Sequence, residues 1–167
     1  MSNTISFFGK CKFLKGEDRN KIRTLLEYIS TSHRFEIDQL SYIYVSDEEL
    51  LEMNQRVLDH DTYTDIITFD LSDMEGRIDG EIYISKDRVL ENANTFNTTF
   101  ELENVRVLSH GLLHLIGYKD KADSEIKEMR RKEEEAIQYY INLFIKHKSI
   151  VSRETFKNLA ISKNKTN

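Results

Sequence analysis

Two histidines and an aspartate stand out for chemistry in the stretch His110-Gly-Leu-Leu-His114-Leu-Ile-Gly117-Tyr-Lys-Asp120. Residues four apart on a helix share a face, with Cβ atoms about 5–6 Å apart, so the imidazoles of His110 and His114 can converge on one cation. Gly117 can adopt the left-handed conformation that closes a helix and reverses the chain, which could carry Asp120 back toward both rings. Two histidines and one carboxylate leave a fourth position for water, the arrangement of a catalytic rather than a structural zinc. One Zn2+ per chain, held by these three ligands, would bring the pKa of its bound water down to about 7 and make hydroxide available at neutral pH. The alternative is a pair of core histidines bonded to backbone. The glycine hinge and the carboxylate just beyond it shift the balance toward metal. The residue after His110 is Gly111, where peptidases of the His-Glu-x-x-His kind carry their general base, so peptide hydrolysis by that route is disfavoured.

The elements that must position these residues can be read from periodicity. Thr4 to Phe8 reads as a strand, and a helix begins at Asp18, a candidate cap, with Ile22, Leu25, Leu26 and Ile29 at helical spacing. A strand follows at Gln39 to Val45. Ser46-Asp-Glu-Glu49 then has the form of a capping box opening a short helix with Leu50, Leu51 and Met53. Strands are expected at Asp65 to Phe69 and Gly80 to Ser85, joined by a polar turn from Asp73. Three helices complete the chain, near Lys86 to Thr95, Glu101 to Ile116 and Asp123 to Phe144. The second is apolar over a broad face (Leu102, Val105, Leu108, Leu112, Leu113, Leu115, Ile116), which marks the histidine helix as buried and central.

A chain of 167 residues, 39% hydrophobic and without proline, repeats or a Gly/Ser linker, suits one domain. The expected division is 1–145 as the folded domain and 146–167 as a basic, polar tail, in which Ile150, Phe156, Leu159 and Ile161 could form a short docked helix. No stretch has the apolar length of a membrane span, and Met1 to Lys10 lacks the pattern of a secretory signal, so the expected location is the cytoplasm. Cys11 stands alone, which leaves no disulfide framework or cysteine zinc cluster and requires any metal to be held by His, Asp or Glu. A net charge of −5 argues against coating nucleic acid by overall attraction, so an RNA partner needs a local basic patch. Lys10, Lys12 and Lys15 form one candidate, and Lys146, Lys148, Arg153, Lys157, Lys163 and Lys165 another, although both can be solvated chain ends, a reading that suits the tail better than specific RNA contact.

The histidine segment resembles the signature of the YbeY family of bacterial ribosomal RNA maturation enzymes, His-Gly-x-Leu-His-Leu-x-Gly-Tyr-Asp-His. The chain matches at His110, Gly111, Leu113, His114, Leu115, Gly117 and Tyr118, and departs at the third ligand, where it has Asp120 in place of His. Met53-Asn54 through Thr64-Asp65-Ile-Ile-Thr68-Phe69 is similar to the family's Leu-Asn segment and its Thr-Asp-Val-Leu-Ser-Phe, and Gly80-Glu81-Ile82 to its Gly-Asp-Ile strand. The resemblance runs from about Ile5 to Ile141. It implies an α+β fold, a small mixed sheet of about four strands packed with helices and a zincin-like metal helix in the centre. It also implies a zinc-dependent, single-strand-specific endoribonuclease acting in 3′-end maturation of small-subunit (16S) ribosomal RNA and in ribosome quality control. Ribosomal RNA and the small ribosomal subunit are then the expected partners, with no membrane and no nucleotide cofactor.

An anionic third ligand should make the bound water less acidic and harden the site. The family's catalytic arginine aligns with Leu58. Arg56 lies two residues earlier, which turns its side chain in a very different direction, and with His60 it is only a candidate auxiliary. Asp59, Asp61, Asp65 and Asp70 suggest a two-metal carboxylate nuclease, but Asp61 and Asp65 are explained more simply as turn and cap residues. Glu133, Glu134 and Glu135 read as a solvated helix face answering Arg130, Arg131 and Lys132, and Lys119 as solvent-facing. The rival functions are a non-catalytic, zinc-containing ribosome assembly factor and a zinc metallopeptidase.

Overall fold

Alternating burial builds the first strand, β1 (Thr4–Phe8), with Ile5 and Phe7 inward. It is followed by α1 (Gly16–Ser32), β2 (Glu36–Val45), α2 (Asp47–Leu58), β3 (Ile66–Asp70), β4 (Arg77–Ser85), α3 (Lys86–Thr95), α4 (Phe100–Ile116) and α5 (Asp123–Tyr140), which runs into a π-helical turn, Ile141–Ile145. The computed structural model describes residues 4–9, 14–58 and 64–145. Lys10, Cys11, Lys12, Asp59, His60, Asp61, the Leu58 side chain and the expected tail from residue 146 onward lie outside the described residues.

The sheet order is β1-β2-β4-β3. β1 and β4 both run parallel to β2, and β3 closes the sheet antiparallel to β4. This is the expected four-stranded mixed sheet of an α+β fold. Two strands begin earlier than hydrophobic alternation implies, β2 at Glu36 instead of Gln39 and β4 at Arg77 instead of Gly80. The added residues bury Ile37 and Ile78, and the charges beside them meet across the strands, where Arg77 pairs with both Glu36 and Asp38. The first helix starts at Gly16, so Asp18 lies in its first turn and is not its cap. The capping box at α2 is present with both bonds, Ser46 N–H donating to Glu49 Oε2 at 2.7 Å and Glu49 N–H to Ser46 Oγ at 3.1 Å.

Helix α4 lies at the centre of the fold, in contact with α1, α3, α5, β3 and β4. Val105, Val107, Leu108, Leu112 and Leu113 are buried along it. Its bonded contacts with α5 pair Glu101 with Tyr140, Arg106 with Glu133 and His110 with Glu133, so the two helices run antiparallel. Gly111 brings α4 against the sheet, since a Cβ there would meet two side-chain atoms of Ile82 at 2.9 Å. Among the described residues no helix is long and apolar enough to cross a membrane.

Gly111→Val should therefore destabilise the fold. Overpacking against Ile82 costs about 1–3 kcal/mol, more than the gain of under about 1 kcal/mol from removing a helical glycine. Urea unfolding should show a lower midpoint at unchanged slope, and a midpoint at or above that of the parent would contradict the close packing of α4 on β4.

Candidate metal centre

The centre is built from one turn of α4 and the chain just beyond it. The N-terminus of α4 is capped by Thr99, whose hydroxyl accepts from Leu102 N–H at 3.1 Å. Its other end is stopped by Gly117, with φ of 119°. The amides of Gly117 and Tyr118 both return to Leu113 O, at 3.1 and 3.0 Å, and so reverse the chain. This turn carries Asp120 back over the helix face that holds His110 and His114.

The three side chains meet as expected. Asp120 Oδ2 lies 3.4 Å from Nε2 of each histidine, and the two Nε2 atoms are 2.9 Å apart. A tetrahedral ion with ligand bonds of about 2.0–2.1 Å separates its donor atoms by about 3.4 Å, which the two edges to Asp120 match and the 2.9 Å edge between the rings falls short of. The imidazoles stand edge to face at 88°. Asp120 is 39% exposed, against 13% for His110 and 23% for His114, so the carboxylate corner opens to solvent.

Hydrogen bonds behind the rings determine what Nε2 can be. His110 Nδ1 faces Glu133 Oε1, and His114 Nδ1 lies 2.9 Å from the Tyr118 carbonyl oxygen. Both partners accept, so each Nδ1 donates, which in the neutral ring leaves the lone pair on Nε2. Two ring nitrogens and a carboxylate oxygen then face one another, an arrangement that a cation can satisfy. Tyr118 is itself anchored, its hydroxyl 3.1 Å from His33 Nε2 while His33 Nδ1 lies 2.7 Å from Ile29 O.

Glu133 corrects the reading of its segment as a solvated face. It is buried, and its second oxygen lies 3.4 Å from Arg106 Nη1. The expectation holds for its neighbours: Glu134 is exposed, and Glu135 pairs with Arg131 and Lys132. Arg106 was not singled out by the sequence. Its Nε donates to both Glu103 oxygens at 3.0 Å, and Nη2 reaches Asp65 Oδ2 at 3.5 Å. Burial works against the guanidinium charge, but the hydrogen bond and charge of Glu103, then the charges of Glu133 and Asp65, outweigh it and hold the pKa above the ordinary arginine value. Asp65 is thus more than a turn residue, since it ties the entry to β3 to the histidine helix. A helical periodicity signal for Glu133 did exist: it falls in register with the buried Met129, Ala136 and Tyr140.

The other candidates lie apart. Arg56 is 80% exposed and pairs with Glu52 on its own helix at 3.8 Å. Asp70 accepts from Ser72 N–H at 3.0 Å, a turn contact, and Lys119 is exposed. Among the described residues, His110, His114 and Asp120 form the one group of three His, Cys, Asp or Glu able to share an ion. That gives no support to the two-metal carboxylate reading.

Sheet, central helix and donor triangle together define an α+β protein with a two-histidine, one-carboxylate ion cradle. The family model described as Endoribonuclease YbeY matches residues 9–141. An endoribonuclease YbeY of Cytophaga hutchinsonii is 49% identical over 134 residues, covering 80% of this chain and 94% of that protein. One from Christiangramia forsetii is 44% identical over 133 residues, covering 80% and 92%. A solution structure of a Thermotoga maritima protein superposes with a TM-score of 0.60 at 32% identity, covering 86% of this chain and 93% of the other. The chain belongs to the endoribonuclease YbeY family.

Gly117→Ala isolates the turn, because a Cβ there meets nothing within 4 Å and only the left-handed backbone penalises it. The expected loss is about 1–2 kcal/mol, measured by thermal unfolding, with a lower metal content because Asp120 depends on that turn. Full stability and metal content in the variant would show that the turn does not depend on glycine.

Proposed function

We propose that this chain is a zinc-dependent, single-strand-specific endoribonuclease that acts in 3′-end maturation of small-subunit (16S) ribosomal RNA and in ribosome quality control. It would work in the cytoplasm, with ribosomal RNA and the small ribosomal subunit as partners. The observation that carries the metal chemistry is the convergence of three candidate ligand atoms, His110 Nε2, His114 Nε2 and Asp120 Oδ2, within 3.4 Å of one another. Membership of the endoribonuclease YbeY family supports RNA as the substrate.

When bound, zinc would lower the pKa of a coordinated water toward about 7 and polarise a phosphate oxygen. The chain's own contribution is to hold both imidazoles in the Nδ1–H form and to keep the Asp120 corner open, where a phosphodiester can approach. A peptidase is disfavoured by packing as well as by motif. A glutamate at position 111, the general-base position, would have to displace Ile82.

One observation favours a second reading, a non-catalytic zinc-containing assembly factor. Arg56 is solvent-exposed and paired with Glu52, while Arg106 is engaged by Glu103, Glu133 and Asp65, so neither arginine presents a free guanidinium for a scissile phosphate.

Metal analysis of the purified protein, beside cleavage of a small-subunit RNA carrying an unprocessed 3′ end, tests the proposal. Wild type should carry one zinc and cut the RNA. Asp120→Ala and His110→Ala should lose metal and fall to the no-enzyme background. Cleavage that survives in metal-free His110→Ala defeats the hydrolase, and a zinc-loaded wild type that restores rRNA maturation in cells without cutting RNA establishes the second reading.

A further inference from the structure

We infer that Glu133 is a positioning residue for the metal centre and that Arg106 holds it in place, a relay running from α4 to α5 and back to α4. The inference rests on the proposed metal site and deepens it.

The two histidines are supported in different ways. His114 Nδ1 is held by a backbone carbonyl, Tyr118 O, which the helix stop fixes. His110 Nδ1 is held by a side chain, Glu133 Oε1, contributed by another helix. Without an acceptor behind it, the His110 ring is free to carry its hydrogen on Nε2 or to rotate, and either change removes the lone pair that faces the ion.

A buried carboxylate on its own would be a poor anchor, since it is costly to desolvate and has rotamers to choose from. Arg106 answers both difficulties. It lies one turn before His110 on the same helix, and its Nη1 engages the Glu133 oxygen that does not face the imidazole. Its Nε and Nη2 are engaged by Glu103, itself 3% exposed, and by Asp65, which hold the guanidinium in place. A charged acceptor behind a ligating imidazole also makes the ring a stronger donor to the metal. Glu133 reaches the ligand atoms only through the His110 ring, and Arg106 only through Glu133, so metal affinity is the quantity they would control.

The test is zinc affinity of the full-length chain by competition with a chromogenic chelator, together with the visible spectrum of the cobalt(II)-substituted protein and thermal unfolding of the metal-free form. Loss of an outer-shell partner costs roughly 10- to 100-fold in metal affinity. Glu133→Ala should fall within that range, and Glu133→Gln, which keeps an uncharged acceptor, at about its lower end. Both should shift the cobalt bands. Arg106→Gln combined with Glu133→Ala should bind no worse than Glu133→Ala alone, because both act through one relay. A purely structural role would lower the metal-free melting temperature while leaving affinity and cobalt spectrum unchanged, and that result overturns the inference. If Glu133→Ala does not fold, Glu133→Gln decides the matter by the same criteria. Wild type and His114→Ala keep the two levels apart. A wild type without zinc affinity defeats the metal site itself, whereas zinc bound by wild type, lost in His114→Ala and unchanged in the Glu133 variants defeats only the relay.

Discussion

Three acceptor atoms forced within 3.4 Å of one another are the constraint on which the rest of this structure depends. With each Nδ1 donating to the group behind it, the lone pairs of the neutral rings and of Asp120 would repel, and the surrounding carboxylates increase the demand for positive charge. Among the described residues, Asp65, Glu103 and Glu133 gather around the guanidinium of Arg106, and Asp120 adds a carboxylate beside the two histidines. In partly buried ground, opposite or like charges about 4 Å apart interact several-fold more strongly than in water. A divalent cation between the rings and Asp120 would offset part of that negative charge. Holding the site in readiness for an ion is thus an electrostatic cost that the packing of α4, α5 and the Gly117 turn must sustain.

The fold supplies that packing through short, local devices. The i, i+4 spacing turns both imidazoles to one side, Gly111 lets the helix seat on Ile82, and Gly117 stops the helix so that Asp120 returns within reach. The antiparallel course of α5 then carries Glu133 back alongside His110. Rigidity is therefore unevenly distributed. The two histidines are held from behind by Glu133 and Tyr118, while Asp120, the most exposed of the three, is presented by the turn and faces both rings.

What could be read in the sequence follows the same division between local and distant causes. The histidine pair, the glycine stop and the Ser46–Glu49 capping box are decided by residues within a few positions of each other, and all three are present in the structure. The starts of β2 and β4 were hidden because Glu36, Asp38 and Arg77 look like loop residues until the strands pair and their charges meet. Glu133 was hidden by its company, since in a run of three glutamates beside three cations the bland reading suits two of them. Its register with Met129, Ala136 and Tyr140 separates it from its neighbours, because a charged residue on a buried helical stripe must have a partner. Arg106 was masked in a similar way by the apolar residues around it on α4.

An aspartate as third ligand of the proposed centre would change the balance that the supporting residues have to strike. Asp120 and Glu133 each bring a negative charge to the ion or to a ring that holds it, and together they would offset the whole charge of a divalent cation. An ion so neutralised polarises water and phosphate weakly. Arg106 opposes this from within, because its contact with Glu133 draws part of that carboxylate's charge away from the His110 ring. A guanidinium turned inward to Glu103, Glu133 and Asp65 is then no substitute for a cation that grips substrate. In the proposed centre it would act one layer further back, letting two carboxylates serve one ion without cancelling the field that makes the metal useful.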